Sequence, residues 1–224
     1  MVVTGNVLEA HELYRFYHAG DEETFALRGV SLEVEKGETV AVVGPSGSGK
    51  STLLACLAGL DDPDGGFVVV AGDRITRRRE AVRSSIRARS IGILLQFANL
   101  LEHLNVLDNV RAAQSLVGGK DRPDPHRLLE DVGLANRARA RPSTLSGGEA
   151  ARAGLAVALA NDPPILLADE PTGEVDHETE AELLAMLRSR TERGSSVVVV
   201  THSDRVAATA DRVLVLSDGR LTDV

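Results

Sequence analysis

Apolar and polar positions change rhythm several times along this 224-residue chain, and each rhythm predicts an element. From Val30 to Val34 the two classes alternate, the period of a half-buried strand. Lys36-Gly37-Glu38 then signals a turn before the apolar run Thr39 to Val43. That succession predicts an antiparallel step into a first β layer. A helical pattern follows at Leu53 to Leu57. Further on, Ile165 to Ala168 and Ser196 to Val200 read as buried strands on either side of a helical stretch, Glu178 to Arg193. Such a β-α-β succession pairs its two strands in parallel. Arg212 to Leu216, followed by Ser217-Asp218-Gly219-Arg220, predicts a C-terminal hairpin. Between about Asn99 and Ala160 the strand signal disappears. Asp124 to Val132 and Glu149 to Leu159 make that region a mostly helical insert in an α/β sheet fold.

The junction between the strand at Thr39–Val43 and the helix at Leu53–Leu57 carries the strongest chemical signal. It reads Gly44-Pro45-Ser46-Gly47-Ser48-Gly49-Lys50-Ser51-Thr52. Glycines there let successive backbone N–H groups converge on phosphate oxygens, Lys50 can reach the terminal phosphates, and the Ser51 hydroxyl can ligate Mg²⁺. The helix start adds the positive end of its dipole. The strand before and the helix after are the context a phosphate loop needs, so the chain is expected to bind a nucleoside triphosphate.

Other candidates gather at predicted strand ends, the edge where ligands collect in open α/β sheets. Asp169 and Glu170 follow Ile165 to Ala168, offering one carboxylate for a metal and one to orient water. His202 follows Val197 to Thr201; alone it reads as structural, but at this edge it can bond a γ-phosphate. Gln96 follows Ile91 to Leu95, with an amide able to ligate the metal and touch the attacking water. Leu145-Ser146-Gly147-Gly148-Glu149 opens a helix. Ser146 and Glu149 fit a capping box, and the two glycines equally suit a second anion-binding helix start. Two phosphate cradles with one loop lysine suggest a site shared between subunits.

Charge narrows the partners. The formal net charge is −8, which supplies no global basic field for nucleic acid. One basic concentration stands out, Arg74, Arg77, Arg78, Arg79, Arg83, Arg87 and Arg89, interrupted by Glu80; it reads either as a solvated face or as a contact for headgroups or an acidic partner. The single cysteine, Cys56, cannot form an internal disulfide and reads as a small buried hydrophobe. No run of about 18 apolar residues and no charged-then-apolar leader is present, so a cytoplasmic protein is expected.

The phosphate loop, Gln96, Leu145 to Glu149, Leu166-Leu167-Ala168-Asp169-Glu170-Pro171-Thr172-Gly173, Asp176 and His202 occur in the order and spacing of an ABC-type ATPase subunit, which the chain resembles over essentially its whole length. Leu167 to Gly173 and Gly59-Leu60-Asp61 resemble the lipoprotein-release, macrolide-export and FtsE branch. The resemblance implies a single ABC ATPase domain over 1–224. Its RecA-like phosphate-loop core, with an antiparallel β subdomain, would take 1–95 and 161–224, and a helical subdomain 96–160. It implies that Tyr17 stacks on adenine, that residues 44–52 hold phosphates, and that Ser51, Gln96 and Asp169 serve Mg²⁺. Glu170 would activate water, with Lys50, Gln96 and His202 completing the catalytic set.

It implies further that Ser146, Gly147, Gly148 and Glu149 of one copy close over ATP held by a second, in a head-to-tail dimer. A separate integral-membrane permease, FtsX- or MacB-like, would dock near Gln96 to Leu107 and hold the protein at the cytoplasmic face of the membrane. Other readings are a non-transport regulator of a cell-envelope complex and an amino-acid-importer ATPase. Departures from the family pattern are Ala150 and Ala151 after the signature, Val157 in place of a common arginine, Glu174-Val175 before Asp176, and Leu95 and Glu102 around the Gln96 segment. An acidic Glu174 at a closing interface is expected to make turnover slow or partner-dependent.

Overall fold

The structure, a computed structural model, describes residues 5–19, 22–96, 100–118, 122–173 and 175–223. Within them the chain runs through β1 (Asn6–Ala19), β2 (Glu22–Glu35), β3 (Thr39–Val43), α1 (Lys50–Leu57), β4 (Gly65–Val70), β5 (Asp73–Arg74), α2 (Glu80–Ser90) and β6 (Ile91–Leu94). It continues through α3 (Val106–Ser115), α4 (Pro125–Asp131), α5 (Gly147–Ala158), β7 (Ile165–Asp169), α6 (His177–Glu192), β8 (Ser196–Thr201), α7 (Asp204–Ala207), β9 (Arg212–Ser217) and β10 (Arg220–Asp223).

These strands form two sheets. One is antiparallel, in the order β2-β1-β4-β5, and the other runs β10-β9-β3-β8-β7-β6. In the second, β6, β7, β8, β3 and β9 are parallel and β10 returns antiparallel to β9. The β7-α6-β8 unit and the C-terminal hairpin form as the sequence predicts.

The antiparallel step into Thr39–Val43 does not form. β3 pairs in parallel, with Val40 opposite Val198 on β8 and opposite Arg212 on β9, and the turn at 36–38 carries the chain from one sheet to the other. The reason lies in the side chains. Val30, Leu32 and Val34 on β2 are buried while Ser31 and Glu33 are exposed, which suits a sheet dry on one face. Val40, Ala41 and Val42 are all fully buried, which suits a strand covered on both faces.

The two faces of the parallel sheet open into two cores. Val40 and Val42, Ile165 and Leu167, Val198 and Val200 point into the first, shared with Leu8 and Leu13 of β1 and Leu53, Leu54, Cys56 and Leu57 of α1. Ala41, Leu166, Ala168, Val197 and Val199 point into the second, shared with Val106, Val110, Leu129, Leu155 and Leu183 of the helices. Each buried Val or Leu contributes roughly 1.5–3 kcal/mol of transfer free energy. α1 therefore lies pinned between the two sheets, and its N-terminus stands at the carboxyl edge of β3. Burial pushes the Cys56 thiol up to about 12, keeping it an inert apolar group. Among the described residues no helix is long and apolar enough to cross a membrane.

Candidate functional site

The carboxyl ends of β3, β7 and β8 converge on a cleft of about 460 Å³ lined by Tyr17, Thr24, Ala26, Ser46, Gly47, Gly49, Lys50, Ser51, Thr52, Gln96, Asp169, Glu170 and His202. Its floor is the loop between β3 and α1. Gly49 caps α1 in a left-handed conformation, φ 105°, and no side chain caps the helix, so its first-turn N–H groups are left for an anion. The Lys50 ammonium spans the loop, donating to the carbonyls of Gly44 at 2.8 Å and Pro45 at 3.0 Å. Ser48 differs from its neighbours. Its side chain is buried under the loop, not in the cleft, and its hydroxyl finds no partner among the described residues.

Asp169 ends β7 half-buried and hydrogen-bonded to the Ser51 side chain. Burial pushes its carboxyl up from the ordinary range; the Ser51 hydroxyl opposes this, Glu170 adds to it and Lys50 opposes it. A carboxylate, a hydroxyl and the Gln96 amide are hard oxygen donors, the kind a magnesium ion takes together with phosphate oxygens, and a cation would relieve the cost of ionising Asp169 in this dry position. Among the described residues no group of three or more His, Cys, Asp or Glu is placed to hold a metal alone.

Glu170 sits at positive φ, 45°, uncommon for a residue with a side chain, and its N–H donates to the carbonyl of Val200. Its carboxylate is held by the end of β8. Oε1 lies 2.7 Å from Nδ1 of His202, while Oε2 accepts from the Thr201 hydroxyl at 3.1 Å and the His202 N–H at 3.3 Å. The His202 ring itself is mostly exposed to the cleft.

The segment Leu145 to Glu149 lies elsewhere. Ser146 caps α5 by accepting from the Glu149 N–H at 3.2 Å, and Glu149 returns the contact to the Ser146 N–H at 3.0 Å, so the capping box forms as expected. The Ser146 N–H and then Arg137 hold the Glu149 carboxyl below its ordinary range. Gly148 meets the start of α6, where a Cβ would stand 2.7 Å from the Thr179 side chain. Asp176 caps α6 from the same corner, and the Thr179 N–H holds its carboxyl low. Ser146 to Glu149 therefore do not join the cleft of their own chain, whereas Gly147 borders a smaller groove with Gln96, Pro171 and Val175. Glu174, and residues 97–99 of the stretch expected to meet a permease, lie outside the described residues.

Sequence reasoning missed Thr24 and Ala26, which reach the cleft because β2 crosses over the phosphate loop, and Thr201, which only the Glu170 contact singles out. Among the described residues, three of the seven arginines of the cluster are ion-paired within the chain: Arg83 with Asp62 and Glu80, Arg87 with Glu80, and Arg89 with Asp73.

Residues 27–173 match the family described as ABC transporter. An uncharacterized ABC transporter ATP-binding protein of Thermotoga maritima is 41% identical over 97% of this chain and 94% of its own length. A lipoprotein-releasing system ATP-binding protein LolD of Shewanella frigidimarina is 40% identical over 96% of this chain and 92% of its own. A macrolide export ATP-binding/permease protein MacB of Chlorobium luteolum is 40% identical over 98% of this chain, which spans 33% of that longer protein. The dimeric ATP-binding cassette MJ0796, solved in a post-hydrolysis state with ADP and Pi, superposes with a TM-score of 0.89 at 33% identity, over 96% of this chain and 98% of that one. Agreement of this extent, running through both sheets and the helices between them, means that the chain belongs to the ABC transporter family.

Proposed function

We propose that this chain is the ATP-hydrolysing subunit of a membrane transporter, working as a dimer of two copies and coupled to a separate integral-membrane permease of the FtsX or MacB kind. The observation that carries the reading is the convergence of Lys50, Ser51, Gln96, Asp169, Glu170 and His202, from four separate stretches of chain, on one cleft. In this reading the loop N–H groups and Lys50 bind the triphosphate, and Tyr17 bears the base. Ser51, Gln96 and Asp169 hold Mg²⁺, which when bound neutralises charge on the β- and γ-phosphates. Glu170 orients a water and takes its proton as the water oxygen bonds to the γ-phosphorus and the bridging oxygen leaves with ADP. His202 contacts the γ-phosphate from the same strand end. Ser146, Gly147 and Gly148 of the second copy close over the nucleotide, supported by the dimeric MJ0796 cassette with its ADP and Pi. Residues 96–160 serve as the helical subdomain that faces the permease, at the cytoplasmic face of the membrane, as the joint ATP-binding/permease name of MacB supports.

Recovery of the Glu170→Gln variant with ATP and Mg²⁺ from detergent-solubilised native membranes, with co-purified chains identified by mass spectrometry, tests the coupling. An integral-membrane partner is expected. Recovery of soluble chains only, or of none, would instead point to a free-standing regulatory ATPase.

A finer prediction concerns Thr201, whose hydroxyl donates to Glu170 and accepts from the Ser203 N–H at 3.0 Å. Thr201→Val keeps the shape but removes both bonds. Turnover is expected to fall ~10-fold with ATP affinity retained, at a stability cost of about 1 kcal/mol, while Thr201→Ser stays near wild type. Steady-state kinetics beside a urea melt checks this; full turnover in the valine variant would count against a positioning role.

A further inference from the structure

Behind Tyr17 the structure builds a second layer that no phosphate chemistry requires. The Arg15 guanidinium lies over the Tyr17 ring, 4.6 Å from its centroid. It is fixed there by a fork to Asp61, Nε to Oδ2 at 2.8 Å and Nη2 to Oδ1 at 3.0 Å, and by a third bond from Nη1 to Asp64 at 3.1 Å. The Tyr17 hydroxyl donates to the same Asp61 oxygen at 3.1 Å, and Asp64 also accepts the Phe16 N–H at 3.0 Å. The ring is thus tethered at its hydroxyl and backed by a cation, yet it still lines the cleft. Both aspartates belong to the turn that leaves the far end of α1. The helix whose start underlies the phosphate loop is about 12 Å long at 1.5 Å per residue, and the segment that leaves its far end carries the clamp that holds the ring.

We propose that Arg15, clamped by Asp61 and Asp64, is a positioning residue for the nucleotide base: it sets the Tyr17 ring in advance, so that a purine completes a guanidinium–phenol–base stack. The proposal rests on the reading that Tyr17 bears the base. A bidentate guanidinium loses little freedom in holding its place, and a ring ordered before binding spares the nucleotide that ordering cost. Cation–π attraction across the ring fixes its tilt as well as its position.

Inorganic tripolyphosphate, which has the phosphates and lacks the base, separates this role from a structural one. Affinities of the wild-type chain and of Arg15→Met for ATP and for tripolyphosphate, each with Mg²⁺, are measured by calorimetry. Arg15→Met is expected to weaken ATP binding ~5–10-fold and to leave tripolyphosphate within about twofold, with the kinetic loss on KM for ATP and not on kcat. Arg15→Lys, which keeps the charge without the fork, should recover part of the loss. Unchanged ATP affinity in Arg15→Met, or equal losses for both ligands, would overturn the proposal. Should Arg15→Met fail to fold, Asp61→Asn takes its place: a loss confined to ATP supports the clamp, and no loss or equal losses refute it. Tyr17→Ala keeps the underlying reading apart. If it binds ATP as tightly as wild type, the base does not stack there at all; if it loses ATP while Arg15→Met does not, only the clamp is refuted.

Discussion

Glu170→Gln is expected to lower ATP turnover by roughly 10²–10⁴-fold, the range spanned when a positioned proton acceptor is removed, while leaving ATP binding and the fold intact. The surroundings of the carboxylate say why the fold survives. Oε2 receives two donors, the Thr201 hydroxyl and the His202 N–H, and the glutamine carbonyl can accept both. Oε1 faces Nδ1 of His202 at 2.7 Å, and the glutamine NH₂ can donate to that nitrogen when the ring proton sits on Nε2. No buried group loses its partner, so the melting temperature should move by only about 2 °C. The amide cannot take a proton from water, and the nucleotide stays unhydrolysed. With two copies closing over ATP, the variant should then run as a dimer in gel filtration with ATP and Mg²⁺, whereas wild type should return to monomer as it hydrolyses. Hydrolysis at the wild-type rate in this variant would remove Glu170 from its role, and Asp169 would become the residue to examine.

How much of this was legible beforehand depends on whether a residue's neighbours in sequence or its neighbours in space decide its environment. β3, β7 and β8 are read correctly as strands because each is a short apolar run covered on both faces, and the direction of β7 and β8 follows from the helix between them. The direction of β3 was lost because the turn at 36–38 looks the same whether it closes a hairpin or passes between sheets. β1 was missed for a different reason. Its pairing with β2 shifts register between Ala10 and Leu13 and again at Leu13/Tyr14 and Arg15/Phe16, with Glu12 at φ 48°, so its buried residues Val7, Leu8, Ala10 and Leu13 do not alternate. α2 carries Arg83, Arg87 and Arg89 of the arginine cluster and buries only Ile86 and Ser90, leaving no apolar stripe to read. The motif residues of the cleft were legible because each stands beside a strand end. Thr24 and Ala26 reach the cleft from the antiparallel sheet, and no local spacing announces that.

The crossing of β2 over the phosphate loop also yields the largest expected stability effect. Gly49→Ala should cost ~3 kcal/mol or more and abolish nucleotide binding. A Cβ at Gly49 would lie 2.2 Å from the Ala26 carbonyl oxygen and 3.3 Å from its carbon, backbone atoms that no rotamer change can move aside. The same residue stands at φ 105°, so strain of ~1–3 kcal/mol adds to overpacking of ~1–3 kcal/mol. Relief requires either β2 to lift from the loop or the loop to move off α1. The first opens the wall formed by Thr24 and Ala26, and the second takes the helix N–H groups away from the phosphates. Gly47→Ala provides the contrast, because Gly47 has φ 78° but nothing within 4 Å of its Cβ position. It should cost only the strain of the left-handed conformation, about 1 kcal/mol. Urea unfolding of both variants separates the clash from the strain, since both share the positive φ and only Gly49 meets the Ala26 carbonyl. Equal losses in the two would mean that conformation alone governs the loop, and that the close approach of β2 does not shape the nucleotide cleft.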